Sequence, residues 1–200
     1  MSAIGKIVKS NSHIDYVCQV YGPGEFNPQP EPEAYAFGTF VGIDRETEGQ
    51  ANPRLIGVIY NTLLMNPDFG TLGPRLSSRA ELDVFSPDYL AETATLIGVL
   101  AVGVVDEAGR VQQGVPMPAA AVNGPVRRLS EAEVRTFHTS PSGALMLHYA
   151  ALLMRQGDPL IAPLLLNILD SVEKLFPNER SRLNVLRNTI AWRSIVQPAG

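Results

Sequence analysis

The chain has 200 residues, of which 45% are apolar and 18% charged, and its formal net charge is −4. This length suits one domain with or without an appended part, and the apolar share can supply a large core. Neither the charge nor the composition is typical of a disordered chain or of a basic nucleic-acid-binding domain.

Cys18 is the single cysteine, so neither an intramolecular disulfide nor a four-cysteine zinc site can form. Its alternating neighbours predict a buried thiol on a strand, which fits a reducing compartment. The N-terminus lacks the apolar core of a signal peptide, and the apolar run at 143–154 is shorter than a membrane span. We therefore expect a cytoplasmic protein, with peripheral membrane association left open.

The first half of the chain predicts a small β-barrel. Short runs rich in Ile, Val, Tyr, Phe and Thr lie at 4–9, 14–21, 37–43, 55–62 and 95–105. Glycines interrupt four of these runs, as is typical of the bulges and sharp curvature of a small closed barrel. Two long connections separate the strands: an acidic, proline-rich loop at 22–34, and an insertion at 66–92 with a short helix predicted at 86–92.

From residue 129 the pattern becomes helical. Ser130 and Glu133 have the spacing of a capping box, which predicts the start of a first helix. Further helices are expected at 142–156, 158–175 and 179–196, the last with its buried face formed by Leu183, Leu186, Ile190 and Trp192. The predicted fold class is α+β: a β-domain at 1–128 that carries the insertion 66–92, followed by a helical subdomain at 129–200 with about four helices.

The motifs of nucleotide and calcium binding are incomplete. A phosphate-binding P-loop requires glycines before a lysine, and Lys6, Lys9 and Lys174 all lie outside such a loop. The acidic residues at 44–49 resemble the start of a calcium loop, but Leu55 occupies the position of the closing glutamate.

The remaining matches to catalytic patterns have structural explanations. Ser171 and Lys174 have the Ser-x-x-Lys spacing without its companion motifs. A helix-terminal cap for His138 and a packed position for His148 are favoured over metal binding or catalysis. The sequence thus predicts no catalytic residue, no metal ligand and no cofactor.

The order of the glycine-containing segments carries a family resemblance. These segments are Ile4-Gly-Lys-Ile-Val-Lys-Ser, Ala36-Phe-Gly-Thr-Phe-Val-Gly-Ile, Leu55-Ile-Gly-Val-Ile-Tyr, Thr95-Leu-Ile-Gly-Val-Leu-Ala-Val-Gly and Gly114-Val-Pro-Met-Pro. Over residues 4–138 the order resembles the HAS-barrel, the N-terminal barrel of HerA-type DNA-translocating ATPases and of ATP synthase catalytic-ring subunits, in a stand-alone cyanobacterial form. The resemblance implies a barrel that packs against neighbouring barrels. Because the motor domain of those ATPases has no counterpart here, the resemblance transfers neither ATP binding nor a catalytic residue.

We therefore expect a non-catalytic module that docks on a multi-subunit protein complex or associates with itself. The candidate contact residues lie in the insertion and are Phe69, Leu72 and Arg75, with plugging of a barrel end as the alternative for the two apolar residues. A second hypothesis is a nucleic-acid-linked accessory protein of a separate HerA-type ATPase. Its candidate basic face is Arg180, Arg182, Arg187 and Arg193. An enzyme with an unfamiliar site in the barrel or under the insertion is the third.

Overall fold

The computed structural model describes residues 3–44, 53–65 and 94–196. Within them the strands are β1 (Ala3–Ser10), β2 (Asp15–Val20), β3 (Phe40–Ile43), β4 (Arg54–Met65), β5 (Ala94–Val105), β6 (Val111–Gln113) and β7 (Pro125–Arg128). The α-helices are α1 (Glu131–Phe137), α2 (Ala150–Leu153), α3 (Ile161–Leu175) and α4 (Arg180–Val196), with short 3-10 turns at Pro32–Tyr35 and Pro177–Glu179. The predicted helix at 86–92 lies outside these residues, as does nearly all of the calcium-like segment 44–49.

The strands close into an antiparallel barrel, as the sequence predicts. The order around the described barrel is β2, β1, β7, β3, β4 and β5, and pairing of β5 with β2 completes the ring. Strand β6 pairs with β5 at Gly103–Val105, beyond the stretch of β5 that β2 occupies. All five predicted strands are confirmed, whereas β6 and β7, with three and four residues, are not predicted from the sequence.

The β4–β5 ribbon contributes to two hydrophobic cores because successive side chains of a strand point to opposite faces. Ile59 of β4 and Val99 of β5 are fully buried in the barrel interior with Ile4, Ile43 and other apolar side chains. Val58 and Val102 face the other way and pack with the helical residues. The helices therefore cover the outer face of this ribbon, and the barrel and the helices share a core.

Gly5 on β1 shows how closely the barrel strands approach each other. A Cβ atom at Gly5 would lie 1.9 Å from the Gln19 carbonyl oxygen of β2, which is backbone and cannot move aside easily. The β1–β2 pairing therefore requires glycine at this position.

Helix α1 begins with the predicted capping box, which is confirmed. The Ser130 side chain accepts from the Glu133 backbone N–H at 3.3 Å, and the Glu133 carboxylate accepts from the Ser130 N–H at 2.9 Å. The same carboxylate receives two hydrogen bonds from Arg127 of β7, at 2.6 and 3.0 Å. The Arg127 guanidinium is the main cause of the lowered pKa of Glu133, about 2. These contacts fix the start of α1 to the barrel.

The helix predicted at 142–156 is wrong in extent, because α2 has only four residues. Local side-chain hydrogen bonds replace helical ones before it: the Ser140 hydroxyl accepts from the Ala144 N–H at 2.9 Å. Further along, the His148 N–H donates to the Gln113 side chain at 2.8 Å. Such bonds compete with the helical pattern that the apolar composition alone suggests.

Two further expectations for the helical half are also wrong. Trp192 does not face the core but is 67% exposed, although Leu183 and Ile190 of the same helix are buried as predicted. His148 is exposed rather than packed. Its backbone N–H, rather than its imidazole, makes the contact that ties this segment to Gln113.

His138 caps the C-terminal end of α1, as predicted, and is fully buried. Its Nδ1 lies 2.7 Å from the Val134 carbonyl oxygen, and its Nε2 lies 2.7 Å from the Tyr149 hydroxyl. Since a carbonyl oxygen only accepts, Nδ1 donates, and Nε2 of the neutral ring accepts the Tyr149 O–H. Burial lowers the pKa of His138 to about 4, partly offset by the bond to Val134.

Replacing Gly5 by alanine should lower the free energy of unfolding by about 1–3 kcal/mol, because the added methyl group overlaps the Gln19 carbonyl. Gly157→Ala is the control, since nothing lies within 4 Å of a Cβ atom there. Urea unfolding of both variants measures the difference. Equal stabilities of the two variants would contradict the close approach of β1 and β2.

Acid should destabilise the fold through His138. Its pKa is about 4 in the folded protein and about 6.5 in the unfolded chain, so the unfolded state binds the proton first as the pH falls. Stability present above pH 6.5 is lost between about pH 6.5 and 4, by an amount on the order of 3 kcal/mol.

The measurement is urea unfolding at several pH values for the wild type and for His138→Gln, which keeps an acceptor for Tyr149. The variant should lack this part of the acid sensitivity, even if it is less stable at neutral pH. His148→Gln, at an exposed histidine, should retain it. The same pH dependence in His138→Gln as in the wild type would contradict the assignment.

Candidate interaction surface

The β4–β5 ribbon extends past the point where β3 stops covering it. The last contacts between β4 and the β3 segment are two backbone bonds of Ile59: its N–H donates to Thr39 at 3.0 Å, and its carbonyl accepts from Gly38 at 2.8 Å. The register of β4 against β5 shifts between Ile59 and Asn61, and it then stays regular to Met65. We call residues 62–65 of β4, with their partners 94–97 of β5, the arm.

One edge of the arm has no strand beside it among the described residues. The Thr62 N–H donates to the side-chain oxygen of its neighbour Asn61 at 2.8 Å rather than to β5. In an antiparallel pair, alternate residues direct their backbone groups towards the partner strand and away from it. Thr62 therefore points its backbone groups away from β5, and Leu64, two residues later, does the same. We call this side of β4 the free edge.

The arm also exposes large apolar side chains. Leu63, Leu64 and Met65 are 51%, 80% and 56% exposed. Because consecutive residues of a strand point to opposite faces, this run shows that both faces of β4 are exposed beyond Asn61, while Ile97 of β5, the partner of Thr62, is still buried in the barrel core. No charged residue lies in 55–65 or 94–105. Contiguous exposed apolar residues of this kind mark interaction sites more often than single ones do.

The three residues predicted as partner contacts, Phe69, Leu72 and Arg75, lie outside the described residues. The segment that contains them follows the arm directly in the sequence. The sequence predicts a strand that ends at Thr62, whereas β4 continues to Met65, so the prediction leaves out the three apolar residues after Thr62. The signal was the apolar run Leu63-Leu64-Met65, which continues the strand up to Asn66-Pro67.

A second exposed apolar surface lies on the loop between β6 and β7, at residues 114–124. Val115, Met117 and Val122 are exposed. The loop is held to the barrel by the Asn123 N–H, which donates to the Ile7 carbonyl at 2.8 Å. Unlike the arm, this loop presents side chains without a free strand edge.

The predicted basic face on α4 is paired with carboxylates. Arg180 lies 2.8 Å from Glu173. Arg187 lies 2.7 Å from Asp170 and 2.8 Å from Glu173, both on α3. Arg182 contacts Glu179 at 3.9 Å, and the side chain of Arg193 is outside the described part of the chain. The described arginines of this set thus lie beside a similar number of negative charges.

Several titratable groups with shifted pKa values have structural neighbours that explain the shift. Burial raises the pKa of the Cys18 thiol to about 12, and the thiol is buried as predicted. Burial, and then the hydrogen bond to Asp15, raise the pKa of Tyr60. Burial raises that of Tyr149, whose hydroxyl meets His138. Tyr60 and Tyr149 lie at the junction of sheet and helices, and Cys18 lies inside the barrel.

The described surface has an open groove and a small apolar cavity. The groove, of about 390 Å³, is lined by Asp170, Glu173, Lys174, Pro177 and Arg180. Its acidic side chains are the ones that pair with arginines of α4. The cavity, of about 40 Å³, lies between α3, α4 and the segment around α2, and its lining is apolar apart from Thr189. No three His, Cys, Asp or Glu residues of the described ranges are grouped to hold a metal ion.

The closed antiparallel barrel, with helices packed on one outer face, defines an α+β barrel protein. None of the helices described in 3–44, 53–65 and 94–196 is both long enough and apolar enough to cross a membrane. The sequence matches the model of the family described as Domain of unknown function (DUF8166) over residues 1–199, and the chain belongs to that family. No curated protein matches the sequence.

We expect the protein not to be retained on double-stranded DNA at about 150 mM salt, because DNA binding by counterion release requires cations that are available to phosphates. The α4 arginines already have carboxylate partners. Retention at that salt, lost when Arg180, Arg182, Arg187 and Arg193 are all replaced by alanine, would contradict this expectation and support the nucleic-acid hypothesis.

Proposed function

We propose that the protein is a non-catalytic interaction module that contacts a protein partner through the arm. The observation that carries this proposal is the run of three exposed apolar residues, Leu63, Leu64 and Met65, on a strand that is paired along its other side. Burying these side chains against a partner would remove apolar surface from water, which is the main favourable contribution to protein association.

The arm suits this role because it is already ordered by its pairing with β5. A contact surface that is fixed before binding loses less conformational entropy when the partner binds. The arm also leads into the insertion 66–92, so Phe69, Leu72 and Arg75 remain candidates to extend the same contact surface. A cytoplasmic location remains part of this proposal.

The proposed relation to the HAS-barrel family agrees with this role. A closed barrel of short, glycine-interrupted strands followed by the α1 capping box fits the order of segments on which the resemblance depends. In that family the barrel serves as a contact module next to a motor domain. We propose that this chain keeps the contact role and works without the motor.

The test is affinity isolation of the tagged protein from its own cells, with the co-purifying proteins compared between variants. Leu64→Asp should reduce the recovery of the specific partner at least about tenfold, because it places a charge in an interface that would otherwise be apolar. Val185→Asp is the matched control: this residue is 66% exposed on α4 and should leave recovery unchanged.

Equal recovery of every co-purifying protein with wild type and Leu64→Asp would overturn the arm as the contact surface. Thermal unfolding of both variants checks that any loss of partner is not a loss of fold. Since Leu64 is 80% exposed, its replacement should change the free energy of unfolding little. We expect the melting temperatures to stay within a few degrees of the wild type, because a change of 1 kcal/mol shifts the melting temperature of a chain of this size by about 2–4 °C.

A further inference from the structure

We propose that the occupant of the free edge is a second copy of this chain, so that the β-sheet continues from one molecule into the other. This inference rests on the proposed function, because it takes the arm as the contact surface and identifies what binds there. It is carried by the direction of the backbone groups at Thr62 and Leu64 and by the absence of charge along the arm.

The backbone of the free edge selects an extended strand as its partner. Thr62 and Leu64 direct N–H and C=O groups away from β5, and no described strand lies on that side. A row of alternating donors and acceptors is matched by another extended strand, whereas a helix face has its backbone groups already paired. Among the described residues the Thr62 N–H donates to its neighbouring side chain, Asn61, and can exchange that bond for a carbonyl of the added strand.

The composition of the edge favours a second copy over a charged partner. A two-fold axis sets the edge against itself, so a charged residue near the axis would face the same charge in the other copy. Residues 60–65 contain no charged residue and no proline. Edges that remain single in natural proteins are usually protected by lysine, proline or a covering element. This edge instead carries Leu63, Leu64 and Met65, which are complementary to themselves.

The orientation of the backbone groups also fixes the register. Antiparallel pairing about an axis beside Leu63 sets Thr62 opposite Leu64 of the second copy, and Leu64 opposite Thr62 of the second copy. Each of these pairs exchanges both backbone hydrogen bonds, since both residues face the free edge. The two Leu63 side chains then lie directly opposite each other.

This register allows a charge-swap test on the full chain. Wild-type protein should dimerise in sedimentation equilibrium over concentrations from about 1 μM to 1 mM. Leu63→Lys and Leu63→Glu should each weaken the dimer at least about tenfold at low salt, because like charges meet at the axis. Mixing the two variants in equal amounts should restore dimerisation, since opposite charges then meet. Val185→Lys, on an exposed face of α4, should dimerise like the wild type.

A second measurement requires no substitution. Hydrogen exchange of the wild type should show protection of the Thr62 and Leu64 amides that rises with protein concentration. Protection of these amides that does not change with concentration would overturn the inference, even if both Leu63 variants failed to fold.

Two sedimentation results would also overturn the inference: a wild type that stays monomeric over the whole range, or Leu63 variants that each dimerise as tightly as the wild type. Neither result decides the proposed function, which depends on partner recovery with Leu64→Asp. Suppose that the wild type is monomeric and that a different protein co-purifies with the wild type but not with Leu64→Asp. The arm then remains the contact surface, and that protein, rather than a second copy, is its partner.

Discussion

The ribbon of β4 and β5 is the element on which the rest of the structure depends. One of its faces closes the barrel interior and the other face carries the helices, so most of its side chains are buried on one side or the other. A strand buried on both faces is apolar almost throughout, and 55–65 and 94–105 contain no charged residue. Where the two cores end, the same apolar composition continues. The exposed arm thus extends a ribbon whose composition is apolar because the rest of it is buried on both faces.

The sequence predicts the barrel well because the five predicted runs are rich in β-branched and aromatic residues, and four of them contain glycines. It predicts the arm poorly because exposure there depends on where another strand stops. Within the described part of the chain, the backbone contacts of Ile59 with Gly38 and Thr39 are the last ones on that side, and no local pattern in β4 marks this point. The helix predicted at 142–156 is wrong for a different reason. Its apolar composition favours a helix, but a hydrophobic pattern does not show side-chain bonds such as that of Ser140 to Ala144.

The charged and polar groups show the same limit of sequence analysis. A row of arginines on α4 predicts a basic face, because a helix pattern gives the position of a side chain but not the charged residues of other elements beside it. Arg187 meets Asp170 and Glu173, which come from the preceding helix. The sequence predicts His138 as a helix cap and the structure confirms it, yet its bond to Tyr149 depends on the irregular chain between them. Partners that are distant in sequence decide whether a charge is available to a ligand.

A free strand edge is a hazard as well as a binding site, because each added strand exposes a new edge. Two-fold pairing avoids this outcome at the arm: the free edge of each copy pairs with that of the other, so neither of these two edges is left to add a further strand. The register shift at Asn61 confines the regular part of the edge to a few residues, which limits how much a mismatched strand gains by binding there. A short, uncharged edge on an otherwise closed barrel is therefore compatible with a defined pair and unfavourable for an open-ended fibre.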